Sequence, residues 1–118
     1  MNKDYFKKLI IVDFDDTLCL HGEDKTNIQM GLPNIPLIDK LNELYKVGYN
    51  IEIRTARGHF SAKDRVDAER KYKPIIKDWL HKYNVPFDKL SFNKPYGIIY
   101  IDDKAMRPNE LHLLDNLL

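Results

Sequence analysis

The feature that most constrains the fold is residues 9–14, Leu-Ile-Ile-Val-Asp-Phe, an apolar run that is β-branched at its centre and leads into further acidic residues. A run of this kind is typical of a strand that is buried on both faces within a parallel sheet, so we place it at the centre of a sheet. Because side chains alternate along a strand, we expect Asp13 and Asp15 to project to one side and Phe14 to the other.

The rest of the chain alternates helical patterns with further short apolar runs. A helix that opens at Asn34-Ile35-Pro36 and stops near Gly48 is predicted to bury Ile38, Leu41, Leu44 and Tyr45. Further strands are predicted at 49–54, 90–92 and 98–101, a second helix beginning no later than Pro74, and a closing helix from about Pro108. This alternation indicates an α/β fold with an open parallel sheet, whose ligand site lies beyond the carboxyl ends of the strands.

Length and charge restrict the classes of function. The 118 residues carry 19 basic and 18 acidic side chains, for a formal net charge of +1. This balance argues against binding to nucleic acid or a membrane surface, which calls for clustered Lys and Arg. Apolar runs fall well short of the roughly 20 residues that span a bilayer, and no signal peptide is apparent. Cys19 is the single cysteine, which favours a cytoplasmic protein. The sequence also predicts one domain, which spans residues 1–118.

Polar groups follow each of the four predicted strands. A carboxylate after a strand is usually a turn or cap residue, so each group alone is weak evidence. The ordered set is stronger, because the carboxyl ends of parallel strands converge on one crevice. The groups are Asp13, Asp15 and Thr17 after the first strand, Thr55, Ala56 and Arg57 after the second, Lys94 after the third, and Asp102 and Asp103 after the fourth.

The charges of these groups indicate the ligand. Like charges about 4 Å apart repel by about 4 kcal/mol at an effective dielectric near 20, so Asp13, Asp15 and Asp102 need cations beside them. Lys94 supplies only one positive charge. A Mg²⁺ ion takes oxygen ligands and leaves positions for a phosphate oxygen, so the sequence predicts a magnesium-assisted phosphate site.

The motif residues Asp13-x-Asp15-x-Thr17, Thr55, Lys94 and Asp102-Asp103 resemble the pattern of the haloacid dehalogenase superfamily of phosphotransferases. A closer resemblance is to the small capless capsule-biosynthesis phosphatases of that superfamily, carried by Trp79-Leu80, residues 85–88, Lys94-Pro95 and residues 100–108. The resemblance implies a three-layer Rossmann-like core with strand order 3-2-1-4. The short interval between Thr17 and the first helix leaves no room for a large cap domain, and residues 18–33 are predicted to form a small flap that turns near Gly22.

The resemblance also implies a role for each residue. Asp13 would attack phosphorus to form an aspartyl-phosphate, and Asp15 would serve as general acid and base. The metal ligands would be Asp13, the backbone carbonyl of Asp15, and Asp102, with Asp103 acting on the metal through water or orienting Lys94. Thr55, the Ala56 N–H and Lys94 would hold the phosphoryl oxygens, and the position of Arg57 two residues after Thr55 makes it a further phosphate or leaving-group contact.

The leading hypothesis is a Mg²⁺-dependent phosphatase acting on a small phosphomonoester, and the resemblance points to a sugar phosphate of polysaccharide precursor synthesis. A nucleotidase or polynucleotide 3′-phosphatase is an alternative enzyme. The alternatives from other classes are a receiver-like phosphoacceptor domain, disfavoured by the order of the motifs along the chain, and a degenerate binding protein without catalysis.

Further predictions concern the charged run, the openness of the site, two histidines and the cysteine. The charged run 62–73 is predicted to be a solvated helix capped by Ser61, with a lid or subunit contact as the alternative. An open site would accept larger phosphorylated molecules or be completed by a neighbouring subunit in a homo-oligomer. His21 and His59 are candidate substrate contacts, and Cys19 is predicted to be a packed flap residue and not a nucleophile.

Overall fold

The computed structural model describes residues 3–21 and 30–118 of the chain. Its elements in chain order are α1 (Lys3–Lys7), β1 (Leu9–Asp13), β2 (Cys19–Leu20), β3 (Leu32–Pro33), α2 (Ile35–Lys46), β4 (Asn50–Arg54), α3 (Arg65–Lys82), β5 (Lys89–Ser91) and α4 (His112–Asp115). The predicted α/β class is confirmed, as a parallel sheet combined with helices. In the described ranges, no helix is both long and apolar enough to cross a membrane.

The parallel sheet has three strands in the order β1-β4-β5. Its register pairs Asp13 with Arg54 and Arg54 with Ser91, so the three strands end level with one another. The side chains that follow these residues therefore start from one edge of the sheet, which is the geometry that a ligand site requires.

The prediction that the first strand lies at the centre of the sheet is wrong for the structure described. The central strand is β4, where Ile51 and Ile53 are fully buried, while β1 lies at an edge and leaves Ile11 53% exposed. The cause is the missing neighbour of β1, because residues 98–101 do not pair with it.

The fourth predicted strand, residues 98–101, is not formed. These residues form no ladder with the sheet, and Ile98 and Ile101 are more than nine-tenths exposed. Local contacts hold the segment elsewhere: the Tyr100 hydroxyl donates to the Pro95 carbonyl, and the Lys94 ammonium lies 4.6 Å from the centre of the Tyr100 ring. Strands β5, β4 and β1 correspond to the predicted strands 3, 2 and 1, so the observed order matches that part of the expected sheet. No described residue occupies the position of the predicted fourth strand.

Helix α2 forms as its sequence predicts. The Asn34 side chain caps it by accepting from the Leu37 N–H at 3.5 Å, and Ile38, Leu41 and Leu44 are buried. Tyr45 is a correction, because it is 41% exposed and its hydroxyl donates to the Asp88 carboxylate at 3.2 Å. The chain leaves the helix through Gly48, whose φ of +104° lies in the left-handed region that favours glycine.

The charged run and the following apolar pattern form one helix, α3, which continues through Pro74. Its cap is Asp64 and not Ser61: the Asp64 carboxylate accepts from the Asp67 N–H at 2.8 Å. Ser61 is instead hydrogen bonded to the Tyr72 hydroxyl at 2.7 Å, which holds it against the side of the helix. The closing helix is also shorter than predicted, because residues 108–109 form a turn and α4 begins at His112.

One hydrophobic core receives side chains from the sheet, α2 and α3. Phe14 is fully buried and meets Trp79 of α3 edge to face, with ring centres 5.2 Å apart. The alternation predicted for this strand end is therefore confirmed, since Phe14 enters the core while Asp13 and Asp15 line the cleft described below. Strands β2 and β3 pair antiparallel at the base of the predicted flap, whose turn near Gly22 lies outside the described residues.

Candidate active site

A cleft of about 450 Å³ lies beyond the carboxyl ends of the three strands. Asp13 and Asp15 reach it from β1, Ala56 and Arg57 from β4, and Lys94 from β5. The level register of the strands brings these residues together, as the sequence predicts. The volume falls in the range of small-molecule sites, about 300 to 1,000 Å³.

Asp13 is held by two donors. The Lys94 Nζ lies 2.8 Å from Asp13 Oδ1, and the Thr17 hydroxyl donates to Asp13 Oδ2 at 3.1 Å. A tight turn brings Thr17 back to this position, in which the Leu18 N–H donates to the Phe14 carbonyl at 3.0 Å and Asp16 adopts a φ of +60°. Thr17 therefore fixes the orientation of the carboxylate, and Lys94 balances its charge.

Asp15 is bound by cationic and imidazole groups. Arg57 approaches both carboxylate oxygens, with Nη2 2.5 Å from Oδ1 and Nε 3.3 Å from Oδ2. The His21 Nε2 lies 2.7 Å from Oδ1. Burial alone would raise the pKa of Asp15, but the hydrogen bonds and charges of Arg57 and His21 together outweigh it and hold the pKa below its usual value. Asp15 is therefore a carboxylate at neutral pH in this arrangement.

Thr55 lies behind the cleft wall. It is fully buried, accepts from the Arg57 backbone N–H at 2.9 Å and donates to Asp15 Oδ2 at 3.5 Å. Its hydroxyl thus orients the Asp15 and Arg57 pair in this structure, whereas the resemblance implies a contact with phosphoryl oxygens. Two further contacts fix the Arg57 guanidinium. Its central carbon lies 5.7 Å from the centre of the Phe14 ring, and its Nη1 donates to the Met30 sulfur at 3.2 Å.

Asp102 and Asp103 are not brought to the cleft. Both are exposed, and Asp102 Oδ1 accepts from the Lys104 N–H at 2.8 Å in a local turn. The physical reason is the unformed fourth strand, which would have ended beside Asp13. The expected convergence of Asp13, Asp15 and Asp102 is therefore absent from this arrangement.

The residues as arranged do not fit the expected magnesium site. Asp13 is engaged by Lys94 and Thr17, and both oxygens of Asp15 are engaged by Arg57. Over residues 3–21 and 30–118, no group of three or more His, Cys, Asp or Glu side chains is close enough to hold a metal ion.

Two histidines weighed as substrate contacts do line the cleft. His21 contacts Asp15 directly, and His59 stacks on Tyr96 with ring centres 5.2 Å apart. Sequence reasoning missed Phe60 and Tyr96 beside them. The available signal was an aromatic residue two or three positions after Arg57 and Lys94, the residues already assigned to phosphate binding.

Cys19 is a packed residue, as predicted. It is fully buried, and its sulfur accepts from the Gly31 N–H at 3.1 Å. Burial raises the pKa of the thiol, which keeps it in the protonated, poorly nucleophilic form.

The chain resembles one crystal structure across nearly its whole length, that of a structural-genomics target protein from Vibrio cholerae. The two are 32% identical, with a TM-score of 0.68, over 93% of this chain and 95% of the other. At that identity and coverage the two chains belong to one family. No family model and no curated protein matches the chain.

Proposed function

We propose that the protein is a phosphomonoester hydrolase that works through an aspartyl-phosphate on Asp13. The observation that carries the proposal is the pairing of two strand-end carboxylates with two cations in one cleft: Asp13 with Lys94, and Asp15 with Arg57. Both cations can also donate hydrogen bonds to the oxygens of a phosphate dianion, whose two negative charges add to those of Asp13 and Asp15. This arrangement supports phosphoryl transfer, a reaction catalysed mainly by positioning and by charge stabilisation.

In the proposed first step, an Asp13 oxygen attacks phosphorus as the bond from phosphorus to the leaving-group oxygen breaks. Asp15, which takes up a proton from solvent once Arg57 has left it for the phosphoryl oxygens, gives that proton to the leaving oxygen, which departs as an alcohol. In the second step water attacks the phosphorus of the aspartyl-phosphate, Asp15 takes its proton, and inorganic phosphate leaves with the Asp13 carboxylate restored. Thr17 supports both steps by keeping Asp13 in one orientation.

The Asp15 role requires Arg57 to change partners. Arg57 is now bound to both oxygens of Asp15, which keeps Asp15 ionised. When the Arg57 guanidinium binds phosphoryl oxygens, Asp15 loses its main charge partner and is left facing the leaving-group oxygen. We infer that substrate binding converts Asp15 from an Arg57 partner into the acid of the first step.

The proposal includes a requirement for Mg²⁺, which the resemblance implies. Because Asp102 and Asp103 are exposed, the requirement entails movement of residues 98–103 toward the cleft. The two carboxylates that react in the steps given above, Asp13 and Asp15, already line the cleft.

The resemblance to capsule-biosynthesis phosphatases favours a sugar phosphate of polysaccharide precursor synthesis as the substrate. A nucleotidase acting in the same cleft is the second candidate, favoured by the aromatic rings at its mouth. A receiver-like phosphoacceptor would carry the same aspartyl-phosphate without turning over.

The test is phosphate release by the purified protein from a panel of hexose phosphates, nucleoside monophosphates and glycerol phosphate with Mg²⁺. We expect steady-state turnover that stops in excess EDTA and returns when Mg²⁺ is added. Turnover that persists in EDTA would contradict the metal requirement but not the proposed phosphatase activity. A protein that accumulates a stable aspartyl-phosphate without releasing phosphate would instead be a phosphoacceptor.

A further inference from the structure

Three aromatic rings form a cluster at the mouth of the cleft, which we call the aromatic rim and define as His59, Phe60 and Tyr96. His59 and Tyr96 are stacked with an interplanar angle of 18°, and Phe60 meets Tyr96 at 77° with ring centres 4.7 Å apart. All three line the cleft together with Arg57 and Lys94. The rim therefore lies next to the groups that would hold a phosphate.

The rim is not part of the hydrophobic core. Phe60 is 79% exposed and Tyr96 is 59% exposed, although each carries a large apolar surface. Single exposed apolar residues are common on protein surfaces, but exposed aromatic rings that contact one another at a polar cleft are typical of ligand sites.

The charges around the cleft divide it into two parts. Asp13, Asp15, Arg57 and Lys94 occupy the polar part, where each charge is paired. The other part is lined by the rim together with Tyr72 and Tyr100, whose hydroxyls are already bound to Ser61 and the Pro95 carbonyl. A ligand there meets mainly ring surfaces and few free hydrogen-bonding groups.

We propose that the aromatic rim binds the leaving group of the substrate, and that this leaving group has a flat apolar face. Two kinds of phosphate ester offer such a face: the base of a nucleoside monophosphate and the C–H face of a hexose phosphate. A small ester such as glycerol phosphate has none. The inference rests on the proposed phosphatase activity and names the substrate class for that activity, with Phe60 and Tyr96 as specificity-determining residues.

Stacking on the rim contributes to binding in proportion to the ring area covered. Base stacking on an aromatic side chain is worth a change in affinity of about fivefold or more per ring on alanine substitution. Because the rim is open to water, we expect an effect near that lower limit, about fivefold to tenfold.

The experiment measures kcat/KM for a nucleoside 5′-monophosphate, a hexose 1-phosphate and glycerol phosphate in the wild type, Phe60→Ala and Tyr96→Ala. We define the preference for an ester as its kcat/KM divided by the kcat/KM for glycerol phosphate. We expect the preference for at least one ring-bearing ester to fall about fivefold to tenfold in both variants. A fall confined to the nucleotide identifies a base, and one confined to the hexose ester identifies a sugar face. Equal losses on all three esters, or no loss, overturn the inference.

Phe6→Ala is the matched control, because Phe6 is also an exposed phenylalanine, 57% exposed, and does not line the cleft. We expect the preference to be unchanged in this variant. Calorimetric titration of the same esters into Asp13→Asn separates the two proposals. If no ester is hydrolysed by the wild type, the proposed function fails. In that case, binding alone tests the role of the rim, by comparing Asp13→Asn with the double variant that also carries Phe60→Ala. Weaker binding of a ring-bearing ester by the double variant supports the role of the rim. Equal binding by the two variants, or no binding by either, overturns it.

Discussion

The Arg57 guanidinium binds the Asp15 carboxylate through two nitrogens, with Nη2 2.5 Å from Oδ1 and Nε 3.3 Å from Oδ2. Both side chains line the cleft, and the Arg57 side chain is only 12% exposed. A guanidinium that lines a cleft and is bound to a carboxylate can exchange that carboxylate for an incoming phosphate. In the proposed function, this relationship connects the charge balance of the cleft to substrate binding.

Replacing Arg57 tests that connection. We expect Arg57→Ala to lower kcat/KM for phosphomonoesters about 10- to 100-fold, since a hydrogen bond to a charged group contributes about 1.5 to 3 kcal/mol. Arg57→Lys restores the charge but not the paired geometry, so only part of the activity should return. Arg70→Ala, which removes an exposed guanidinium on α3, is the control. Equal activity in Arg57→Ala and Arg70→Ala would show that Arg57 does not contact substrate.

Phe14 links the turn at residues 13–17 to the core, because it lies between Asp13 and Asp15 and packs on Trp79. We expect Phe14→Ala to lower the free energy of unfolding by about 3 to 5 kcal/mol, the usual cost of emptying a buried phenylalanine site. Urea unfolding followed by fluorescence of Trp79, the single tryptophan, measures it. Phe60→Ala removes the same atoms from an exposed site and should change stability by less than about 0.5 kcal/mol. Similar losses in both variants would contradict the burial described.

The sequence is enough to predict the parts of the fold that local pattern determines. Helix α2 and the strand ends at Asp13 and Arg54 follow from apolar periodicity and from residues with one dominant local role, such as Asn34 and Gly48. The convergence of Asp15, Arg57 and Lys94 also follows, because parallel strands with level register leave little choice of where the next residues lie.

Features that depend on competition between partners were not predictable in the same way. Residues 98–101 have a strand-like sequence, but they form no ladder with β1, and Tyr100 contacts Lys94 and Pro95 instead. Asp64 and Ser61 both have side chains suited to capping α3, but the helix begins at Arg65, so Asp64 takes the cap position while Ser61 is hydrogen bonded to Tyr72. The selection of Arg57 as the partner of Asp15 is likewise a tertiary effect, because the two are far apart along the chain.

Asp67, in the first turn of α3, makes stability depend on acid pH. Its carboxylate accepts from the Lys63 backbone N–H and binds Arg70 and Lys71, which together lower its pKa from 3.8 to about 2. A lowered pKa in the folded state means that the stabilisation is complete above the unfolded pKa and is lost as the pH falls through the folded value. The stabilisation should therefore be full above about pH 4 and absent below about pH 2.

The measurement compares the free energy of unfolding of the wild type and Asp67→Asn at pH 6 and at pH 2.5. We expect the variant to be less stable at pH 6 and the difference to shrink at pH 2.5. Asp78→Asn removes an exposed carboxylate from the same helix and serves as the control. A difference between wild type and Asp67→Asn that is the same at both pH values would show that the carboxylate charge makes no contribution.

The most direct test of the proposed function concerns Asp13. Asn has nearly the shape of Asp and can keep the hydrogen bond with Thr17, but its amide is a poor nucleophile toward phosphorus. With phosphomonoesters and Mg²⁺, Asp13→Asn should lose at least about 1,000-fold in kcat, while its urea unfolding midpoint stays close to that of the wild type. Hydrolysis by Asp13→Asn at a rate near that of the wild type would contradict the account, because the phosphoryl group would then not pass through Asp13.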